Sequence, residues 1–339
     1  MRAEAADKRV TTRRLNDMGL GFMSAGTLLA ALELRLFDAM SGGPKSLSEI
    51  ASKLGIREDR IEKLITACAA IDLVIRDGAM VANAEDVERF LVRGKPTYFG
   101  DYLLHFAKGS YSSWGKVADF LKGGGSAGRG RYYDTANDPK EARALTEAGY
   151  TGSQGTARVL ARRFDFSPYR HLLDIGGGSA VYSIEACRRY PELKATVLDF
   201  LNVCVVAREF IEKEGFSARI RTVGCDFTAD PFPSGPDVAL LCGNIHAYEP
   251  ATARRVVKKA YDILPGGGAM IICDYMLNSE RTGPPVAAFL SLAQAFQPGS
   301  GVVHSAGDFK EYLESAGFRV LKVEEFLEGS LGWAVASKP

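Results

Sequence analysis

The chain has 339 residues, 46% of them hydrophobic and 24% charged, with a formal net charge of +1. That length suits about two domains, each large enough to bury a core. The balanced charge excludes a global field that would draw the molecule to nucleic acid or to an anionic membrane.

The six cysteines, at 68, 187, 204, 225, 242 and 273, form no CxxC pair, and several stand in apolar runs. Buried free thiols in a reducing compartment are therefore expected. The first residues, MRAEAADKRVTTRRLND, are polar and lack the apolar core of a signal peptide, and no apolar run reaches 18 residues. A cytoplasmic protein that does not enter a membrane is the expectation.

Met18 to Met40 (MGLGFMSAGTLLAALELRLFDAM) reads as a helix that is apolar on most faces, as a helix buried against a partner or a core would be. Ser46 and Glu49 are spaced as a capping box, Gly55 ends that helix, and IREDRIEKLITACAAIDL starts the next. VIRDGAMVA then reads as strand, Asp-Gly turn and strand. Helix, turn, helix and small hairpin make a winged-helix pattern. Residues 57–63 set three bases against three acids, so the second helix lacks the positive face that groove reading requires. Dimerisation fits this module better than DNA binding. Residues 98–122 are aromatic and helical, GGGSAGRGRYYDTANDP is a loop or hinge, and 139–164 return to helix.

From residue 171 strands and helices alternate: HLLDI, KATVLDF, IRTVGCDF, PDVALLCG, GAMIICDYM, RVLKVEEF and LGWAVASKP are the strands. Such alternation calls for a parallel sheet covered on both faces, which holds ligands at the carboxyl ends of its strands. The first strand runs into Asp174-Ile175-Gly176-Gly177-Gly178. Gly176 and Gly178 fit two places of a dinucleotide fingerprint, but the third is Val181, and no Gly-Lys-Ser/Thr follows for a phosphate loop. A plain glycine turn stands as the alternative. Asp199 ends the second strand, where a carboxylate accepts two ribose hydroxyls, and Asp226 with Phe227 follow the third, where an acid and a ring suit adenine. Acids at three successive strand ends, without a phosphate cradle, suit S-adenosylmethionine.

These motifs, with LLCGNIHAYEP, AYDILPGGGAMIICDYML and FKEYLESAGF, resemble the small-molecule O-methyltransferases of the caffeate and acetylserotonin group. LLAALELRLFDAM and YFGDYLLHFAKGSYSSW extend the resemblance into the N-terminal half. It implies an α/β fold: a Rossmann-like class I methyltransferase domain with a mostly parallel seven-stranded sheet, preceded by a mainly helical winged-helix dimerisation domain. The implied division is a dimerisation domain over 1–105, a helical connector and pocket segment over 106–150, and a catalytic domain over 151–339, in a homodimer.

Carried over residue by residue, Asp174, Gly176 and Gly178 match the cofactor loop, Asp199 the ribose acid, and Asp226 and Phe227 the adenine site. Ser153 matches a serine on the methionine carboxylate. Ala180 replaces a loop glycine, and Cys242 replaces a basic residue four before the histidine. His246 matches the general base, and an imidazole titrating near about 6.5 suits that task. Ala247 and Val303 stand where acids that steady this histidine are expected. Two acceptor types therefore remain open: a hydroxyl, or a thioether such as 4-methylthio-2-hydroxybutyrate, which needs no base. Ala247 also argues against an iron site of the C-methylating relatives, so no metal is expected. Candidate walls of the acceptor pocket are Tyr102, His105, Phe106, Tyr111, Trp114, Tyr150, Phe289, Gln294 and His304. A winged-helix regulator that senses a ligand is the alternative of another class.

Overall fold

The computed structural model describes residues 10–124, 136–294 and 301–339. The chain divides into two compact units, Met1–Ala107 and Lys108–Pro339, so the described part of the expected connector falls mostly in the second.

In the first unit, α1 (Arg13–Gly19), α2 (Gly21–Glu33) and α3 (Leu36–Met40) replace the single helix expected over Met18–Met40. Gly19 and Gly21 weaken the first junction. At the second, Arg35 takes a left-handed conformation (φ 59), which a continuous helix does not accommodate. Ala31, Leu32, Leu36, Phe37 and Met40 enter the core, whereas Leu15, Met18, Leu20, Phe22 and Met23 stay 52–66% exposed. The winged-helix pattern follows as β1 (Lys45–Ser46), α4 (Leu47–Leu54), α5 (Glu58–Ala70), β2 (Val74–Asp77), β3 (Met80–Asn83) and α6 (Glu85–Phe90). The capping box is formed: Glu49 N donates to Ser46 Oγ at 3.3 Å, and Ser46 N donates to Glu49 Oε2 at 2.7 Å. Ile50, Ile61, Ile65 and Val81 close the core beneath a sheet ordered β1-β3-β2. Arg57 pairs with Asp59 and Arg76 with Glu62, so neighbouring acids neutralise these cations.

Helix α7 (Gly100–Trp114) crosses the boundary between the units. The glycine-rich stretch read as a hinge lies largely outside the described residues. Helix α8 (Pro139–Arg163) then starts on Asp138, whose Oδ1 accepts from Lys140 N and Glu141 N at 2.8 and 3.1 Å.

The second unit is built on seven strands: β4 (His171–Ile175), β5 (Lys194–Asp199), β6 (Ile220–Gly224), β7 (Val238–Cys242), β8 (Ala269–Tyr275), β9 (Arg319–Leu327) and β10 (Leu331–Ser337). Their order is β6-β5-β4-β7-β8-β10-β9, parallel except that β10 runs antiparallel to both neighbours. Successive residues of a strand point to opposite faces. Leu172, Val197, Leu240 and Ile271 meet α8, α9 (Val181–Arg189) and α10 (Leu201–Lys213) on one side. Leu173, Leu198, Leu241 and Ile272 meet α11 (Pro250–Ile263) and α13 (Ala306–Ala316) on the other. Helix α12 (Pro285–Ala293) seats Ala287 on Leu277 and Val303. From central β4 the chain builds outward to β6, then returns to lay β7 on the other flank of β4. That reversal opens a crevice at the carboxyl ends of β4 and β7.

Candidate active site

The glycine turn lies at that crevice. Gly176 and Gly178 have φ of +63° and +55°, where a side chain is strained. A Cβ on Gly176 would lie 2.3 Å from Asn244 Nδ2 and 2.9 Å from Phe227 Cε1, and one on Gly177 2.6 Å from Asp174 Cγ. At Gly178 a Cβ would meet nothing within 4 Å, so open space faces the backbone there. Two of these glycines are needed for packing; the third borders room for a ligand.

The strand-end acids converge on this turn. Asp199 is fully buried; its Oδ2 accepts from Gly178 N at 2.9 Å and its Oδ1 from Phe200 N at 2.8 Å. Asp174 Oδ2 accepts from Ser183 Oγ at 2.7 Å, and burial pushes its carboxyl up to about 6. Asp226 Oδ1 accepts from Thr228 N and Oγ1 at 2.9 and 2.6 Å. Phe227 is buried edge-on to Tyr248, with its ring against Gly176. Ser153 stands beside Tyr182, whose phenol is raised by burial and by the neighbouring Cys242 and Cys273. Asn244, which sequence reasoning missed, donates from Nδ2 to the carbonyls of Ile175 and Gly176 at 2.8 and 3.0 Å and ties β7 to the turn.

Two buried acceptors here, Asp174 Oδ1 and Asn244 Oδ1, have no hydrogen-bond partner among the described residues. Unpaired buried acceptors are costly, so this turn calls for a ligand that brings donors. The side chains named around it are carboxylates, a carboxamide and hydroxyls. That set fits a ligand with an ammonium and ribose hydroxyls and repels a phosphate.

His246 stands in the single turn Ile245–Ala247 just beyond β7. Its Nδ1–H donates to Asp274 Oδ1 at 2.8 Å, and its backbone N donates to Asp274 Oδ2 at 3.3 Å. Asp274, at the end of β8, is fully buried, while the imidazole keeps 19% exposure. The bond at Nδ1 leaves the Nε2 lone pair as the open end of the ring. Burial opposes charging of the ring, but the Asp274 carboxylate prevails and raises the His246 pKa above its ordinary value.

The absence of an orienting acid, expected from Ala247 and Val303, is therefore corrected. Val303 is buried with Leu277 and Ala287, and the acid comes instead from Asp274, 28 residues past the histidine. Its signal was an aspartate closing the apolar run IICD.

The expected acceptor residues fall in both units. In the first unit Tyr102 and Phe106 lie 4.6 Å apart between ring centroids, and His105 and Phe106 5.8 Å. In the second, Trp114 meets Phe289 edge-on at 6.1 Å, and Tyr111 is exposed. Gln294 sits by the histidine turn: a Cβ on Gly301 would lie 2.5 Å from Gln294 Oε1 and 3.1 Å from the Ala247 carbonyl. Tyr150 points elsewhere, stacked on Phe210 at 4.0 Å with its hydroxyl donating to Glu214 Oε1 at 3.0 Å. His304 is 1% exposed; its Nε2 donates to the Ile245 carbonyl at 3.1 Å and its Nδ1 accepts from Tyr312 Oη at 2.9 Å. It supports the histidine turn from beneath and has no free nitrogen for an acceptor. Among the described residues no group of three or more His, Cys, Asp or Glu is placed to hold a metal ion, and no helix is long and apolar enough to cross a membrane.

Residues 114–319, more than half of the chain, match the O-methyltransferase domain family, and residues 17–92 match the O-methyltransferase dimerisation domain. The chain belongs to the O-methyltransferase family. It is an S-adenosylmethionine-dependent methyltransferase acting on small molecules. Among its relatives, the 3-hydroxy-5-methyl-1-naphthoate 3-O-methyltransferase of Streptomyces sahachiroi is 31% identical, covering 95% of this chain and 94% of that one. The N,N-dimethyltransferase OxyT of Streptomyces rimosus is also 31% identical and covers 96% of each. The fold matches human N-acetylserotonin methyltransferase, solved with S-adenosylmethionine, at a TM-score of 0.86 with 24% identity over 99% of both chains.

Proposed function

We propose that this methyltransferase transfers a methyl group to a hydroxyl of a small aromatic acceptor, with His246 as general base. The observation that carries the reading is the 2.8 Å bond from Nδ1 to buried Asp274, which fixes the tautomer and turns Nε2 outward. Nε2 takes the acceptor's proton, and Asp274 stabilises the imidazolium that results. Such proton transfer typically contributes about 10²–10⁴-fold. The relative that methylates a hydroxynaphthoate supports an aromatic hydroxyl as acceptor.

In this reading Asp199 accepts the ribose hydroxyls, Asp226 and Phe227 meet the adenine, and Asp174, the glycine turn and Ser153 surround the methionine end. When bound, S-adenosylmethionine supplies an activated methyl group and leaves as a neutral thioether. The protein's task is then alignment and exclusion of water.

The thioether alternative drew its support from a histidine without an orienting acid, and Asp274 removes that support. A DNA-binding regulator is disfavoured by the paired charges along α5. The exposed apolar side chains of α1 and α2 fit a homodimer joined through the dimerisation domain.

The test is a panel of phenols, amines and thioethers offered with a labelled methyl donor to wild type and His246→Ala. A hydroxylated aromatic should be methylated and lose about 10²-fold or more in the variant. Methylation of a thioether alone, undiminished in the variant, would overturn the reading.

A further inference from the structure

The loop between β6 and β7, which carries Asp226 and Phe227, has no helix or strand of its own. It is held first by internal bonds. Asp226 N donates to Asp230 Oδ2 at 2.8 Å, and Ala229 N and Asp230 N donate back to the Asp226 carbonyl at 2.9 and 2.7 Å. Thr228 occupies Asp226 Oδ1, which leaves Oδ2 without a hydrogen bond among the described residues.

These bonds close the loop on itself; buried Phe227 and Phe232 pack it against the sheet, and helix α11 ties its backbone. Lys259 Nζ donates to the carbonyls of Phe227 and Asp230 at 2.6 and 2.7 Å, and lies 4.3 Å over the Phe232 ring. One turn earlier, Arg255 Nε donates to the Thr228 carbonyl at 3.2 Å. Two cations at i and i+4 thus hold three carbonyls of one short segment. The helix owes its own position to Val256, Val257 and Ala260, which are buried on the sheet whether or not Lys259 is present. Charge-assisted bonds of this kind are about twice as strong as neutral ones.

We propose that Lys259 is a positioning residue for the adenine end of the cofactor: by bridging the Phe227 and Asp230 carbonyls it holds the loop so that Asp226 keeps one acceptor for the adenine amino group. The inference rests on the adenine role given to Asp226 above. Lys259 touches no reacting atom, so its loss acts on cofactor affinity and leaves turnover at saturating cofactor intact. The Asp230 carbonyl is exposed and meets water when freed, and Val256, Val257 and Ala260 keep the helix seated, so the unit stays folded.

The test is calorimetric binding of S-adenosylhomocysteine and of its analogue with hydrogen in place of the adenine amino group. Wild type, Lys259→Met and Lys259→Arg are compared, with Lys259→Gln in place of the methionine variant if that one does not fold. Wild type should prefer the amino form by about tenfold, or 1.4 kcal/mol. In Lys259→Met the affinity for the amino form should fall about tenfold, that for the analogue should hardly change, and the preference should vanish. Lys259→Arg should restore most of it. An unchanged preference in Lys259→Met, whatever its absolute affinities, would overturn the role of Lys259 while leaving Asp226 in place. Equal affinity of wild type for both ligands would instead remove the adenine assignment of Asp226, and this inference with it.

Discussion

Asp274, at the end of β8, holds the His246 imidazole from beneath at 2.8 Å, across the junction between two neighbouring parallel strands. Because Asp274 raises the pKa of His246, the ring is protonated up to a higher pH than a free imidazole. A base must be neutral, so turnover should climb as pH rises through that raised value. In Asp274→Asn the acidic limb of the pH profile should move to lower pH, and the plateau should fall about 10- to 100-fold as the ring loses its fixed tautomer. A profile whose limb does not move would show that Asp274 does not govern the ring.

Gly176 and Gly178 share a left-handed backbone but differ in surroundings, so alanine should act on them differently. At Gly176 the new Cβ collides with Asn244 and Phe227. Gly176→Ala should therefore lower stability through strain and overpacking, by roughly 2–3 kcal/mol, with a matching fall in melting temperature. Gly178→Ala meets open space and carries only the backbone term of about 1 kcal/mol. Its main effect should be on S-adenosylmethionine affinity, through a methyl group placed in the ligand's room. Melting curves and calorimetry on both variants check the contrast; equal losses of stability would contradict it.

Asp174 should give the cofactor-free protein a pH signature. Burial raises its folded pKa from 3.8 to about 6. A carboxyl with a raised folded pKa contributes stability below its unfolded value, and that contribution is lost as pH rises through the folded one. Asp174→Asn should therefore match wild type near pH 4 and exceed it near pH 7, by about 1–2 kcal/mol after relaxation. It should also bind cofactor more weakly. Denaturant titrations across that range check the sign: a variant less stable than wild type at pH 7 would reverse the argument.

The inner strands β4, β5, β7, β8 and β10 were legible because each is a short, mainly apolar run closed by a turn, and a sheet covered on both faces requires that pattern. The Ser46–Glu49 cap and the glycine turn were legible because their chemistry is local. The break at Arg35 was not, since a left-handed arginine has no signature in sequence. Asp274 was missed for a different reason. Its meaning depends on β8 lying beside β7, and strand order is set by packing rather than by any single segment. His304 misled in the same way: its neighbour Val303 aligned with a family acid, but its nitrogens are consumed by Ile245 and by Tyr312 one helix away.

The exposed apolar side chains of α1 and α2 give the last prediction. Met18 and Met23 are 66% and 55% exposed, with Leu15 and Leu20 at 59% and 52%. Exposed apolar side chains gathered on two successive helices mark an interface, and a second copy is the occupant that the dimerisation domain supplies. Wild type should have twice the mass of one chain by light scattering at micromolar concentration. Met18→Glu with Met23→Glu buries two charges in that interface, at a cost of several kcal/mol, and should shift the mass to that of one chain. The core of the first unit draws instead on Ala31, Leu32, Leu36 and Phe37, so its melting should change little beyond the loss of association. A variant that remains dimeric would place the interface on another face.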